Sequence, residues 1–237
     1  MKDDFKNIVS TDWLEQHLEA PDIRIIDSSW YFPQEKRNAE QEFLECHIPG
    51  ASFFDIDKIK DNDCDLPHML PPSAMFNSTV RKLGIGDGHK VVIYDGLGMR
   101  SAARLWWMFK VFGYSDVVVL DGGFPKWVKE NRSTTADLTE KEIRHLTIYE
   151  DKSIVADRDD VLRATKLNHC SIIDARSEER FMGTAPEPRS GLRSGSIENS
   201  INVPYETLLN EDFTFKKKLE ILDICLLYTS DAADDRC

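Results

Sequence analysis

Apolar residues in the first half of the chain fall into short runs separated by longer periodic stretches. Ile23-Arg24-Ile25-Ile26-Asp27 is a β-branched run closed by an acid, which predicts a buried strand. Lys90-Val91-Val92-Ile93-Tyr94-Asp95 and Asp116-Val117-Val118-Val119-Leu120 predict two more, and Ser52-Phe53-Phe54-Asp55-Ile56 a shorter one. Thr11-Asp12-Trp13-Leu14-Glu15 sets a capping residue before apolar-periodic positions and predicts a short helix. Two further helices are predicted: one from Ser78 to Leu83, stopped by Gly84, and one from about Ser101 to Phe112, behind the small loop Gly96-Leu97-Gly98-Met99. Strands alternating with helices give an α/β class, a parallel sheet flanked by helices.

The pattern then returns. Ser171-Ile172-Ile173-Asp174-Ala175-Arg176 echoes the run ending Asp27-Ser28-Ser29, and Ser200-Ile201-Asn202-Val203-Pro204 echoes Ala51 to Asp55. Asp27 and Asp174 are 147 positions apart (174 − 27). One α/β unit repeated in tandem accounts for this better than a single large domain. The expected division is a first domain over 1–132, a linker over 133–150, a second domain begun over 151–224, and a tail over 225–237. At the same offset, the counterpart of Asp95 falls near position 242, beyond the 237 residues in hand.

Composition narrows the class. Hydrophobic residues make up 41% of the chain, enough for real cores. The net charge of −12 argues against a general nucleic-acid binder and against docking on an anionic membrane. No apolar run approaches the roughly 18 residues of a membrane span, and Met1-Lys2-Asp3-Asp4-Phe5 does not resemble a signal or transit peptide. A soluble cytoplasmic protein is expected. Cys46, Cys64, Cys170, Cys225 and Cys237 are odd in number and form no CxxC, so neither a disulfide framework nor a zinc site is expected.

Several motifs occur together and in order: Asp27-Ser28-Ser29-Trp30, His47-Ile48-Pro49-Gly50-Ala51, Phe53-Phe54-Asp55-Ile56-Asp57, His68-Met69-Leu70-Pro71, Arg104-Leu105-Trp106-Trp107-Met108-Phe109 and Leu120-Asp121-Gly122-Gly123. Asp174-Ala175-Arg176, Arg180-Phe181, Pro186-Glu187-Pro188-Arg189 and Gly191-Leu192-Arg193-Ser194-Gly195 follow. Over residues 5 to 224 the chain resembles the two-domain sulfurtransferases of the rhodanese superfamily, the 3-mercaptopyruvate branch before the thiosulfate branch. The resemblance implies tandem rhodanese-like domains, a non-catalytic one followed by one with a nucleophilic cysteine at the end of its central strand. It implies no metal and no cofactor. The partners it implies are a small anionic sulfur donor and a thiol acceptor such as a thioredoxin-like protein. It leaves a mitochondrial location open beside the cytoplasmic one.

The chemistry needs a thiolate. Inward-pointing backbone N–H groups beside a helix N-terminus depress a cysteine pKa. The thiolate takes the outer sulfur of the donor, is held as a persulfide, and passes the sulfur to a second acceptor. At the matching position of the first domain stands Asp95, which cannot act as a thiolate, so that loop is expected to be inactive.

Arg176, Arg180, Arg189 and Arg193 form a basic cluster interleaved with Glu178, Glu179 and Glu187. On composition the cluster is a solvated loop; under the resemblance Arg180 and Arg189 bind the substrate anion by paired hydrogen bonds, while Arg176 and Arg193 are structural. His47 has two readings, support of proton transfer or a ring hydrogen bond that holds the turn at Pro49-Gly50. Where the family repeats His-Ile-Pro-Gly, the second domain has Ser196-Ile197-Glu198-Asn199, which puts that turn's geometry in question. Trp106, Trp107 and Phe109 are expected to pack in the core and between domains.

A helix is expected to open at Phe215-Lys216-Lys217-Lys218, but the resemblance stops at Ile224. Residues 225–237 have the look of non-native sequence, with the nucleophilic cysteine expected past residue 237. The expectation is therefore a family sulfurtransferase whose 237 residues are an inactive fragment. The alternative is a non-catalytic rhodanese-like module that binds an anion or a partner. A related phosphatase needs a cysteine-to-arginine loop, which Asp95 denies the first domain. Poor cover is expected for Ile172, Ile173 and Val203, with residues after about 150 labile.

Overall fold

Five short parallel strands organise the first part of the chain: β1 (Ile8–Val9), β2 (Ile23–Asp27), β3 (Ser52–Phe53), β4 (Lys90–Tyr94) and β5 (Val117–Leu120). Their order is β1-β5-β4-β2-β3. The computed structural model describes residues 6–167, 170–189 and 191–234, with side chains to Leu226; Met1–Phe5 and Cys237 lie outside the described residues. Two compact units result, one of Asp4–Ile154 with Asp212–Thr214, the other of Val155–Glu211 with the chain from Phe215.

The central strands are apolar on both faces because helices cover both, as expected for a parallel sheet. Ile25 lies beside Val92 and Val92 beside Val118, so their side chains share a face. They join a core with Leu14 of α1 (Thr11–Gln16), Phe43 of α2 (Ala39–Glu45) and Trp127 of α5 (Gly123–Lys129). Ile26, Ile93 and Val119 share the other face. Buried Phe76 and Val80 of α3 (Ser73–Lys82) and Leu105 and Phe109 of α4 (Ala102–Val111) supply a second set of core side chains. Phe76 stacks on Phe112 at 4.4 Å and meets Phe109 edge-on at 5.1 Å. Each such ring contributes roughly 2–3 kcal/mol by burial.

Some boundaries differ from expectation. The cap of α1 is Ser10, whose hydroxyl accepts from Trp13 N–H, while Thr11 lies inside the helix and donates to Glu130 at 2.6 Å. α3 starts at Ser73 rather than Ser78, since Phe76 and Val80, four apart, already form its apolar stripe. Only Ser52 and Phe53 of the expected 52–56 strand pair with β2. Residues 133–150, expected as a linker, run as a strap along the first unit. Thr135 and His47 exchange backbone hydrogen bonds at 2.9 Å, Leu146 is buried, and Tyr149 and Asp151 donate to Phe112 and Val111 carbonyls. The strap lies on bare backbone: a Cβ at Gly86 would meet the His145 carbonyl at 2.6 Å, and one at Gly113 the Tyr149 carbonyl at 2.4 Å.

The second unit holds β6 (Ile172–Asp174) and β7 (Ser200–Asn202), paired in parallel, with α6 (Arg158–Ala164), α7 (Glu178–Phe181) and α8 (Lys218–Asp234). α6 is closed by a reciprocal box, Asp157 accepting from Asp160 N–H at 2.7 Å and Asp160 from Asp157 N–H at 2.9 Å. Local geometry matches the first unit. Asp27 O accepts from Phe54 N–H and Asp174 O from Val203 N–H. The turn at 196–199 keeps the form of the one at 47–50: Ala51 N–H bonds Ile48 O, Ser200 N–H bonds Ile197 O, and Asn199 takes the left-handed conformation held by Gly50. Asn tolerates that conformation, so the departure from His-Ile-Pro-Gly leaves the turn intact. Val203, expected to be poorly covered, is buried, yet it is the one apolar side chain described after Ile154 that is; Ile173 is 57% exposed.

Candidate functional site

In the first unit the chain leaves β2 toward one side of the sheet and β4 toward the other, which opens a crevice beyond their carboxyl ends. The loop after β4 carries Asp95, which is fully buried. Its Oδ1 accepts from Leu97 N–H at 2.9 Å, and its Oδ2 from Arg100 N–H at 2.7 Å and Ala102 N–H at 2.8 Å. Gly98 and Met99, both with positive φ, bend the loop back onto this carboxylate. The amides and the start of α4 thus form an anion-receiving cradle, filled by the protein's own side chain. Beside it, Ser29 Oγ accepts from Gly96 N–H at 2.8 Å and donates to Asp27 at 2.5 Å. Burial pushes the Asp27 carboxyl up to about 7, against the pull of its bonds from Ser29. Gly96 is required here, because a Cβ would stand 2.2 Å from the Tyr31 hydroxyl.

A second group lies in the irregular chain between β3 and α3. His68 Nε2 meets Asp57 Oδ1 at 2.6 Å, and Trp30 Nε1–H donates to Asp57 Oδ2 at 3.0 Å. The His68 and Trp30 rings meet edge-on at 4.9 Å. Asp57, Trp30, Tyr31 and Ser29 line a cleft of 240 Å³. A half-buried imidazole oriented by a carboxylate is the arrangement of a proton-handling dyad. Sequence reasoning quoted both residues within motifs and gave neither a role. The available signal was a histidine and an aspartate flanking a segment with no periodicity, where a loop positions chemistry rather than packing.

His47 is fully buried and stacked on Phe43 at 4.1 Å, with Nδ1 donating to the Phe43 carbonyl at 2.6 Å. The ring thus ties His47 back to α2, and its Nε2 is buried without a hydrogen-bond partner among the described residues.

In the second unit, Arg180 is engaged by a carboxylate of the chain itself. Arg180 donates to Glu187 at 2.5 Å, and Arg176 donates to the other Glu187 oxygen at 2.8 Å. Arg176 also chelates Asp174, from Nε at 3.0 Å and from Nη2 at 2.6 Å, and bonds Gly195 O at 2.9 Å. The Arg180 bond, reinforced by the nearby Arg176, holds the Glu187 carboxyl below the usual range. Arg189 is half-buried and Arg193 exposed.

Phe109 is buried as expected; Trp106 Nε1–H donates to Val117 O at 3.1 Å, and Trp107 lies under the Arg104 guanidinium at 4.6 Å. Cys46 and Cys170 are exposed and Cys64 and Cys225 half-buried. None of these four stands at a strand end before a glycine loop. Among the described residues no group of His, Cys, Asp and Glu gathers to hold a metal, and no helix is long and apolar enough to cross a membrane.

The rhodanese-like domain family matches residues 10–130. The chain is 38% identical to rat 3-mercaptopyruvate sulfurtransferase over 223 residues, covering 92% of the chain and 75% of that protein. It is 41% identical to the mitochondrial thiosulfate/3-mercaptopyruvate sulfurtransferase 1 of Arabidopsis thaliana, of which it spans 65%. Among solved structures, SseA from Escherichia coli, described with the rhodanese fold and the mechanism of 3-mercaptopyruvate sulfotransferases, superposes with a TM-score of 0.84 at 36% identity, covering 93% of the chain and 83% of SseA.

Proposed function

Because this chain belongs to the rhodanese-like sulfurtransferases, we propose that it serves the transfer of a sulfane sulfur from 3-mercaptopyruvate, or from thiosulfate, through a cysteine persulfide to a thiol or cyanide. The observation that carries this reading is the Asp57–His68 pair, whose Asp57 lines a polar cleft, in a unit whose own strand-end cradle is filled by Asp95. When a thiolate takes the sulfur of 3-mercaptopyruvate, the C–S bond breaks and leaves the enolate of pyruvate, which takes up a proton. A histidine held by a carboxylate is suited to deliver it. Within the first unit, Asp57 and His68 supply proton handling; within the second, Arg180 and Arg189 are the proposed contacts for the donor anion. Arg180 becomes available when the donor's carboxylate displaces Glu187.

The tandem reading is supported by the matched bonds Asp27–Phe54 and Asp174–Val203 and by the two like turns. His47 is assigned to the turn. A cytoplasmic location is retained, with a mitochondrial one the alternative. The donor is a small anion and the acceptor a thiol, on a small molecule or a thioredoxin-like protein.

Since none of the four described cysteines occupies a cradle, these 237 residues alone are proposed to be inactive. The test is pyruvate release from 3-mercaptopyruvate and thiocyanate formation from thiosulfate plus cyanide. No turnover by the purified chain is expected; sustained turnover would refute the inactivity. Calorimetry tests the anion site: saturable binding of 3-mercaptopyruvate, lost in Arg180→Ala and Arg189→Ala, is the expected result. Loss of binding in neither variant removes those residues from the site. A module that only binds an anion or partner would show the binding with no effect of Asp57→Asn on any reaction restored by a catalytic cysteine.

A further inference from the structure

His68 adopts φ = +57°, the left-handed region that non-glycine residues occupy at a cost. A donor that engages this residue's carbonyl stands 36 residues away on α4. The Arg104 Nη2–H donates to the His68 carbonyl at 2.5 Å, while the guanidinium lies over the Trp107 ring at 4.6 Å. Among the described residues Arg104 forms no salt bridge, and its Nε is buried without a partner. Removal from water pushes its pKa down. A guanidinium withdrawn from water without a carboxylate is unfavourable unless its remaining bond matters. Trp107 and Arg104 are one turn of α4 apart, so a rigid helix, rather than the loop itself, sets where the donor stands.

We infer that Arg104 is a positioning residue: by binding the His68 carbonyl it keeps the backbone left-handed and so delivers His68 Nε2 to Asp57. This rests on the proton-handling role given to the dyad in the proposed function. Without the bond, residue 68 relaxes toward negative φ and the imidazole swings from the carboxylate. Trp30 acts at the other end of the pair by fixing Asp57.

The readout is the exchange of the His68 Nε2–H proton with water in the full chain labelled with nitrogen-15 at histidine, assigned by its loss in His68→Gln. Asp57→Asn is the control for the dyad: it should accelerate exchange, and if it does not, the dyad reading itself fails. Given that control, Arg104→Met should accelerate exchange about tenfold, the factor expected from releasing one left-handed residue. Tryptophan-detected unfolding should remain cooperative. Arg104→Lys, which keeps a donor on a flexible stem, should restore part of the protection. Wild-type exchange in Arg104→Met beside accelerated exchange in Asp57→Asn would overturn the inference and leave the dyad standing. If Arg104→Met does not unfold cooperatively, Arg104→Gln, too short to reach the carbonyl, decides on the same criterion.

Discussion

Replacing Asp95 tests whether the first unit's cradle is closed by its own side chain. Asp95→Ala removes the acceptor of three backbone donors, the half-buried Leu97 and Arg100 N–H and the buried Ala102 N–H. Each buried donor left unpaired costs about 1–3 kcal/mol. A water entering the vacated space recovers part of this, so a net loss of about 4 kcal/mol is expected. Asp95→Asn keeps one oxygen, which can serve Arg100 and Ala102 as Oδ2 does, but sets an amide N–H₂ against Leu97 N–H; about 2 kcal/mol is expected. For a unit near 150 residues, the Ala variant should melt about 12 °C lower. All five tryptophans, at positions 13, 30, 106, 107 and 127, belong to the first unit, so urea unfolding followed by tryptophan fluorescence reports that unit alone. An Asp95→Ala midpoint equivalent to less than about 1 kcal/mol of loss would refute the closed-cradle argument.

Other outcomes follow from the same structure. Asp27 has a folded pKa of about 7, above its ordinary value of 3.8, so between those values the folded state binds the extra proton. Stability of the first unit should therefore fall as pH rises from about 4 to 7, by at most roughly 1.4 kcal/mol per pH unit, and level off above. Asp27→Asn should flatten that slope, and an unchanged slope in urea titrations assigns it elsewhere. Glu187→Gln removes the charge that holds Arg180 and Arg176, and should tighten binding of 3-mercaptopyruvate about tenfold by calorimetry; equal affinity would show that Glu187 does not compete with the anion. Amides of residues 155–211 should exchange far faster with deuterium than those of β2, β4 and β5, because a two-stranded sheet with one buried apolar side chain among the described residues is marginal alone. Equal protection would count against this.

The strands were legible because β4 and β5 are continuous β-branched runs, and burial on both faces of a parallel sheet demands that composition. Asp95 was legible for the same reason, as the polar residue ending such a run. The Asp57–His68 pair was not: its members are 11 residues apart in chain that follows neither the period of a helix nor that of a strand. Arg180 was found, but its engagement with Glu187 depends on a fold-back that spacing does not encode. α2 and α5, seven residues each, have stripes too short to stand out, and what marks them is the seating of Phe43 and Trp127 in a shared core. The strap over 133–150 buries Leu146 and otherwise holds on through its backbone, which leaves no side-chain pattern to read.

That strap also sets where the first unit can be cut. Trimming the chain at residue 132, where the sequence pattern fades, would strip cover from the glycine track at 84, 86 and 113 and free the main-chain groups of Phe112 and Val111 that now receive Tyr149 and Asp151. An excised piece ending at 132 would carry a raw seam down one side and tend to stick to its neighbours, whereas one ending at Ile154 takes its own binding with it.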